Sequence, residues 1–367
     1  MTFKKSLVLT TALTAVGALA ATSAIAAGKP KIKISGYQET FFAMNLDRVA
    51  GQTGTGTPTY ANGGDGSLTI LQYGEIRFKV KGKTDNGLKW GVRFESVAGN
   101  DAATNGKKVS SDEAHMWVQG SWGRLEIGGQ DGAADRVRES TKNDITIDQR
   151  FAAVVADTRG RRLRGAEDYG SINDSSDDTK LTYWTPRVSG FRGAYSYVPS
   201  AGARGSVGTN SGSFHEGSVS YKTKVNGGKL RVALRGTIED AAAPDGSDVE
   251  AWSVGASYAI KGFKVSTEYL DTGERRAGTA GDEGSAWDIG VSYSQGPWKV
   301  GIAYWDAQHE VSGASDDEYQ QITIHGAYSL GGGLTISAGL ISFDNDDSTA
   351  ASATDGEVAV VKLLAKF

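Results

Sequence analysis

The sequence predicts an all-β fold, a sixteen-stranded antiparallel transmembrane β-barrel. Three observations carry this. Sixteen short amphipathic segments lie between Ile32 and Phe367, and the gaps between them alternate long and short without a break. A closed antiparallel barrel in a membrane has that layout, with tight turns at one end and long loops at the other. Within the segments apolar and polar residues alternate with a period of two, which sends them to opposite faces of a strand. Aromatic residues also collect near segment ends: Trp90, Trp122, Tyr258, Phe263, Tyr269, Tyr293, Trp298, Tyr304 and Tyr328, as interfacial girdles require.

Residues 1–26 read as a secretory signal peptide. Lys4 and Lys5 are charged, Leu7 to Ala20 is apolar, and Ala24-Ile25-Ala26 is an A-x-A cleavage site that starts the mature chain at Ala27. The apolar run is too short for a spanning helix, which needs about 20 residues. The barrel is then assigned to 27–367.

The strands follow in order. The first covers about 32–44 and the second about 70–84. Asp85-Asn86-Gly87 turns into the third, 88–98, with Asn-Gly read as a turn whose two central residues both take positive φ. Strand four, 112–122, turns at Gly123 into strand five, 124–130. Strand six, 178–185, turns through Pro186 to Gly190 into strand seven, 191–198. Strand eight, 215–225, turns at Asn226-Gly227-Gly228 into strand nine, 229–238. Strand ten, 249–259, turns at Lys261-Gly262 into strand eleven, 263–270. Strand twelve, 285–295, turns at Gly296-Pro297 into strand thirteen, 298–305. Strand fourteen, 318–329, turns at Gly331-Gly332 into strand fifteen, 333–343, and strand sixteen, 357–367, ends the chain. An even strand number returns both barrel ends to the turn side.

The alternation is clearest late in the chain. Trp252, Val254, Ala256 and Tyr258 interleave with Ser253, Gly255 and Ser257, and Leu230, Val232, Leu234 and Ile238 interleave with Arg231, Arg235, Thr237 and Glu239. A soluble barrel would turn the apolar face inward. A membrane barrel turns it to lipid, and the girdles, together with the lack of an obvious separate core of bulky residues, favour that arrangement. Sixteen strands enclose a bore wide enough for water.

Composition narrows the function classes. The formal net charge is −4, and two of the lysines belong to the leader, so a basic nucleic-acid binder is excluded. There is no cysteine, which excludes thiol chemistry and a disulfide scaffold. The mean hydropathy is negative, as it is in barrels where only alternate residues meet lipid. His115, His215, His309 and His325 are scattered, with no H-E-x-x-H spacing and no Gly-x-Ser-x-Gly elbow; no cofactor or enzyme activity is expected. A receptor-type transporter needs a plug domain ahead of its barrel, and strand one begins just after Lys31.

Several stretches together resemble the Gram-negative general porins, especially those of α-proteobacterial type. They are the leader, Lys33-Ile34-Ser35-Gly36-Tyr37, Trp122-Gly123-Arg124-Leu125-Glu126-Ile127-Gly128, Leu181-Thr182-Tyr183-Trp184-Thr185-Pro186 with Gly190-Phe191, and the terminal Phe367. The resemblance covers the mature chain. It implies an outer-membrane homotrimer, a third loop folded into each pore, and a terminal strand read through Phe367 by the barrel-assembly machinery. The implied function is passive diffusion of small hydrophilic solutes and ions. A substrate-selective porin and a surface-structural or adhesin barrel with a plugged lumen are the alternatives.

The candidate constriction is the third loop, 131–177, longer than a surface connection needs to be. Its apolar patch, Ile145, Ile147 and Phe151 to Val155, makes sense against an inner wall. On strands two and three Arg77, Lys79, Lys81, Lys89 and Arg93 fall on the polar face, and Arg231 and Arg235 do so on strand nine. The loop carries Asp135, Glu139, Asp144 and Asp148, then Arg159, Arg161, Arg162 and Arg164. Acid on the loop opposite base on the wall would set a transverse field across the pore. The other long loops hold acidic runs such as Asp344 to Asp347, suited to solvation or to weak divalent-cation bridges to lipopolysaccharide.

Overall fold

A sheet with one face in hydrocarbon cannot leave an edge open, because no water is there to take the unpaired N–H and C=O groups. The chain meets this requirement by closing. The computed structural model describes residues 28–46, 68–100, 108–147, 172, 174–199, 212–240, 248–273, 283–310, 316–346 and 354–367. Among them sixteen strands pair antiparallel, each with its neighbours in sequence and the last with the first. They are β1 (Lys31–Asn45), β2 (Leu68–Lys83), β3 (Lys89–Asn100), β4 (Lys108–Gly120), β5 (Gly123–Gly129), β6 (Thr179–Trp184), β7 (Phe191–Val198) and β8 (Phe214–Val225). The second half is β9 (Gly228–Glu239), β10 (Val249–Ile260), β11 (Phe263–Asp271), β12 (Gly284–Gln295), β13 (Trp298–His309), β14 (Asp317–Gly331), β15 (Leu334–Asp346) and β16 (Thr354–Lys366). Among the described residues no helix is long and apolar enough to cross a membrane; crossing falls to the strands.

The expected strands are all present, and several run further at the loop end, as β4 and β16 do. Beyond an apolar band both faces of a strand can be polar, so alternation fades while the hydrogen-bond ladder continues. The first hairpin also differs. Among its turn residues Gly87 takes positive φ and Asn86 does not. The Gly87 N–H donates to the Thr84 carbonyl at 2.9 Å and the Thr84 N–H to Leu88 O at 2.8 Å. This is a three-residue connection with glycine in the left-handed position, not the two-residue turn expected. Asn226-Gly227 does place both residues at positive φ, 48° and 80°.

The outward face is apolar and the inward face polar, as the alternation requires. Ile289 and Val291 of β12 are exposed while Asp288 and Ser292 are buried. Two rings of paired aromatics bound the outer surface. Phe191–Tyr221, Phe263–Tyr293 and Trp298–Tyr328 lie 4.4, 4.5 and 4.5 Å apart toward the turns. Trp252–Tyr269 and Trp287–Tyr304, at 5.6 and 5.2 Å, lie toward the loops. On β12, Trp287 and Tyr293 are six residues apart in sequence, roughly 20 Å along a strand.

One expectation is corrected. The lumen holds a core of bulky residues, in which Phe41, Ile147, Ile172, Trp305, Tyr319, Ile341 and Phe343 are buried together. Wall residues such as Phe41 and Phe343 point inward because the third loop covers them.

The seam between β1 and β16 depends on a glycine. Phe367 follows the last strand residue and extends the ladder: its N–H donates to Gly36 O at 3.0 Å, and the Gly36 N–H returns a bond to Phe367 O at 2.8 Å. A Cβ at Gly36 would lie 2.7 Å from Phe367 Cζ and collide with the Glu75 carbonyl, and that backbone atom cannot yield. Gly36→Val is therefore expected to cost about 1–3 kcal/mol, the usual range for overpacking. Thermal unfolding of the detergent-folded barrel by circular dichroism checks this, and an unchanged midpoint would mean the seam tolerates a side chain.

Candidate functional site

The third connection leaves β5 and immediately turns inward. Ala133 N–H donates to Ser196 Oγ of β7 at 2.8 Å, and Ser218 Oγ of β8 donates to Ala133 O at 2.7 Å. Glu216 of β8 then joins two distant parts of the connection. Its carboxylate accepts from Ala134 N–H and from Ser175 N–H, each at 2.9 Å. Further on, Ser257 Oγ of β10 donates to Glu139 at 2.8 Å, Lys264 of β11 to Asp144 at 2.8 Å, and Thr141 N–H to Asp288 of β12 at 3.1 Å. Trp305 of β13 donates its indole N–H to Thr141 Oγ1 at 2.8 Å, and Thr146 meets His325 of β14 at 3.0 Å. Residues 131–147 thus cross the inner wall from β7 to β14, in two short 3-10 turns at Asp135–Val137 and Thr141–Asn143.

Small inward residues make the track for this crossing. A Cβ at Gly290 would lie 2.8 Å from Thr141 Cγ2, and one at Gly339 would lie 2.6 Å from Ile147 Cδ1; at Gly255 it would run into the Glu139 carbonyl. Each glycine lets the loop backbone or a loop side chain sit directly on the sheet.

The strongest anchor is a buried ion cluster. Arg138 of the loop donates to Glu268 of β11 at 2.9 Å. Arg235 of β9 donates to the other oxygen of Glu268 at 2.6 and 3.0 Å, and Ser253 of β10 adds a bond at 2.8 Å. Arg235 and Glu268 are each 2 % exposed. One carboxylate here bridges two guanidinium groups away from water, and its loss would leave both charges without their counter-ion.

The charges sit differently from the simple acid-opposite-base scheme. Arg77 and Arg93 face the lumen but are neutralised on their own wall. Arg77 Nη2 donates to Glu75 at 3.0 Å and its Nε lies 3.1 Å from Glu95, while Arg93 pairs with Glu95 and reaches Glu113 at 3.2 Å. A register shift between Phe94 and Ser96 against β4 accompanies this pairing; such bulges re-aim side chains. Arg124 similarly lies 2.5 Å from Glu126 and stacks over Trp117 at 4.3 Å. Lys79 has no carboxylate partner among the described residues. The loop acids turn to the wall that carries them: Asp144 to Lys264, and Glu139 to Ser257 with Arg231 3.7 Å away. Asp135 lies close to two other acids, Asp131 and Asp174. Asp148, Arg159, Arg161, Arg162, Arg164 and the patch Phe151 to Val155 lie outside the described residues.

Glu75, Glu95, Glu126, Glu216 and Glu268 are missing from the sequence-based candidates. A signal existed for three of them. Glu75-x-Arg77, Arg93-x-Glu95 and Arg124-x-Glu126 place acid and base two apart, on one face of one strand. Nothing local marks Glu216 or Glu268, whose partners in the loop are about 40 to 130 residues distant.

A closed barrel with an apolar outer band, aromatic rings and a polar lumen crossed by its own loop defines the class: a pore-forming membrane β-barrel. The family model described as Gram-negative porin matches residues 11–348, and the chain belongs to that family. It is an outer-membrane porin of a Gram-negative bacterium. No curated protein matches the sequence. Among solved structures it is similar to the anion-selective porin from Comamonas acidovorans (16% identity, TM-score 0.61, covering 92% of this chain and 100% of that one). It is also similar to Salmonella typhi OmpF in complex with daunomycin (14%, 0.64, 92% and 97%). A third is the in-vitro folded, trimeric OmpT of Vibrio cholerae (11%, 0.62, 93% and 100%).

Two predictions follow from the loop anchors. Glu268→Gln keeps the volume but leaves Arg138 and Arg235 buried without their counter-charge. Breaking such a pair costs about 3–5 kcal/mol, so trypsin cleavage at Arg136 and Lys142 of the folded protein is expected to accelerate by more than ~10-fold. An unchanged rate would remove Glu268 as the anchor.

The second concerns pH. Burial, followed by the charges of Asp135, Glu113 and Asp177, pushes the Asp131 carboxyl up to about 7. Burial, followed by Asp135 and Glu216, pushes Asp174 up to about 6. Lys180 is the nearby cation, held by the Gln130 and Ser176 carbonyls. Raised carboxyl pKa values mean that the docked loop binds protons more tightly than a released one. Docking is then favoured most below about pH 4, and this contribution is lost as pH rises through 6 to 7. Hydrogen exchange of the 131–147 amides, corrected for intrinsic rates, is expected to slow between about pH 8 and pH 5, and Asp131→Asn to flatten the change. Equal protection at both pH values in the wild type would refute it.

Proposed function

We propose that the chain is a general diffusion porin, a water-filled channel for small hydrophilic solutes and ions, acting without enzymatic chemistry. The 131–177 connection forms its constriction. The observation that carries this is the run of residues 131–147 along the inner wall, held by Glu216, Glu268 and Asp288. A loop tied to one side of a wide bore narrows the passage and leaves the opposite wall, with Arg77, Lys79 and Arg93, to line it. The functional unit is a homotrimer, a reading supported by the trimeric form of the Vibrio cholerae OmpT. Residues 1–26 act as the export signal. Phe367, 67 % exposed beside Gly36, serves as the assembly signal, and the long loops face lipopolysaccharide.

The test is conductance of the mature protein in a planar lipid bilayer. Ohmic openings in steps of three are expected. Silence from protein with proven β-structure would favour the plugged adhesin, and saturable block by one sugar would favour a substrate-selective porin.

A further inference from the structure

Charge is balanced on one side of the lumen and not on the other. Between the loop and strands β6 to β11 lies a cavity of about 430 Å³. Seven cationic side chains and a single acid, Glu139, line it among the described residues. Two of the cations are consumed by anchoring: Arg138 binds Glu268 and Lys264 binds Asp144. Arg136 pairs with Glu126 and stacks over Trp184 at 4.7 Å. Of the remainder, Arg187, Arg192 and Lys222 have no carboxylate partner among the described residues, and Arg231 has one only at the edge of contact. Arg192 stacks on Trp184 at 4.6 Å and donates to the Thr185 carbonyl. Arg187 donates to Gly190 O at 2.6 Å and to Ser220 Oγ at 3.3 Å. Lys222 has no ion-pair partner among the described residues, and Arg231 has Glu139 only at 3.7 Å.

The arrangement opposes its own stability. Lys222 and Arg231 are directly opposite in the β8–β9 register, and like charges in cross-strand positions repel. Arg187 and Arg192 lie within electrostatic reach of Lys222 as well. The same barrel neutralises the arginines of β2, β3 and β5 with inward glutamates on the same strand. Strands β7 and β9 put neutral residues there instead: Ala194 two past Arg192, and Ala233 two past Arg231.

We infer that this cavity is a binding site for phosphorylated small solutes carrying several negative charges, such as di- and triphosphates. Guanidinium forks match phosphate oxygens bidentately, and an ammonium adds a point charge. A volume of this size accommodates a small organic or inorganic polyanion rather than one halide ion. Trp184 is 3 % exposed and lies beside Arg136 and Arg192, so it orients the guanidinium groups rather than offering a ring to the solute. The cluster lies toward the short turns, since Arg187 belongs to the β6–β7 turn itself and Lys222 and Arg231 lie three residues from theirs. A solute held there lies toward the turn-side mouth of the lumen, which permeating ions must cross, so occupancy reduces current; this last step rests on the open-channel reading above.

Sodium triphosphate is the probe. Calorimetry on the detergent-folded, full mature chain is expected to show binding that weakens with added salt. In the bilayer, triphosphate added from the side the turns face is expected to reduce the KCl current. Arg187→Gln combined with Lys222→Gln should weaken both effects by at least about tenfold. Arg192→Lys keeps the charge, removes the fork, and should weaken them by less. Lys31→Gln combined with Lys33→Gln, on β1, lowers the net charge by the same two units and should leave affinity within about twofold. Absence of binding to the wild type overturns the site, as does equal affinity in the double variant with intact β-structure. Binding without any conductance would overturn the open-channel reading and leave the site standing.

Discussion

Closure of the sheet is the constraint on which everything else rests. Each unpaired backbone group left in hydrocarbon costs several kcal/mol, so the first and last strands must meet in register. Here the terminal residue itself completes the ladder, with Phe367 and Gly36 exchanging both backbone bonds. The absence of a side chain at position 36 leaves room for the Phe367 ring against the seam. A change at either residue is felt by every strand, since a barrel with one open joint is a sheet with two edges.

Closing sixteen strands creates a second problem, a bore too wide for side chains from the walls to meet. The third connection addresses it. It enters over Ser196 and Ser218, and its backbone polar groups find wall side chains at Glu216 and Asp288. Its apolar residues Ile145 and Ile147 join inward aromatics that would otherwise face water. The loop and the wall are therefore mutually required. Inward Trp305, Tyr319 and Phe343 are tolerable only because the loop covers them, and the loop keeps one path only because Gly255, Gly290 and Gly339 leave room.

Most of the barrel was legible in the sequence, because a strand in a membrane reports its orientation residue by residue. Trp252-Ser253-Val254-Gly255 states which atoms face lipid without reference to anything distant. The turn at Asn86-Gly87 was readable as a turn but not as a type, since three-residue and two-residue connections share that dipeptide. The site was less legible. Arg77 and Arg93 could be assigned to the lumen, but their neutralisation required reading Glu75 and Glu95 as same-face partners. Glu268 resembles any inward carboxylate of β11 until the loop delivers Arg138 to it. Pairings formed across such sequence distances leave no local periodicity.

Electrostatic balance then separates structure from function within one lumen. A buried charge that exists to hold the fold finds its counter-ion, because an unpaired one is costly. Arg138 and Arg235 meet that rule by sharing Glu268, and Arg77, Arg93 and Arg124 meet it with glutamates two residues away. Arg187 and Lys222, exposed to the lumen, and the half-buried Arg192 stand outside that rule together and in one place, without the same-strand glutamates of β2, β3 and β5. Their hydrogen bonds go to backbone carbonyls and a serine hydroxyl, which position a guanidinium without cancelling its charge. The uncancelled charge makes the turn-side cavity beneath the loop attractive to anions, and the fixed orientation makes that attraction strongest for solutes with several anionic oxygens.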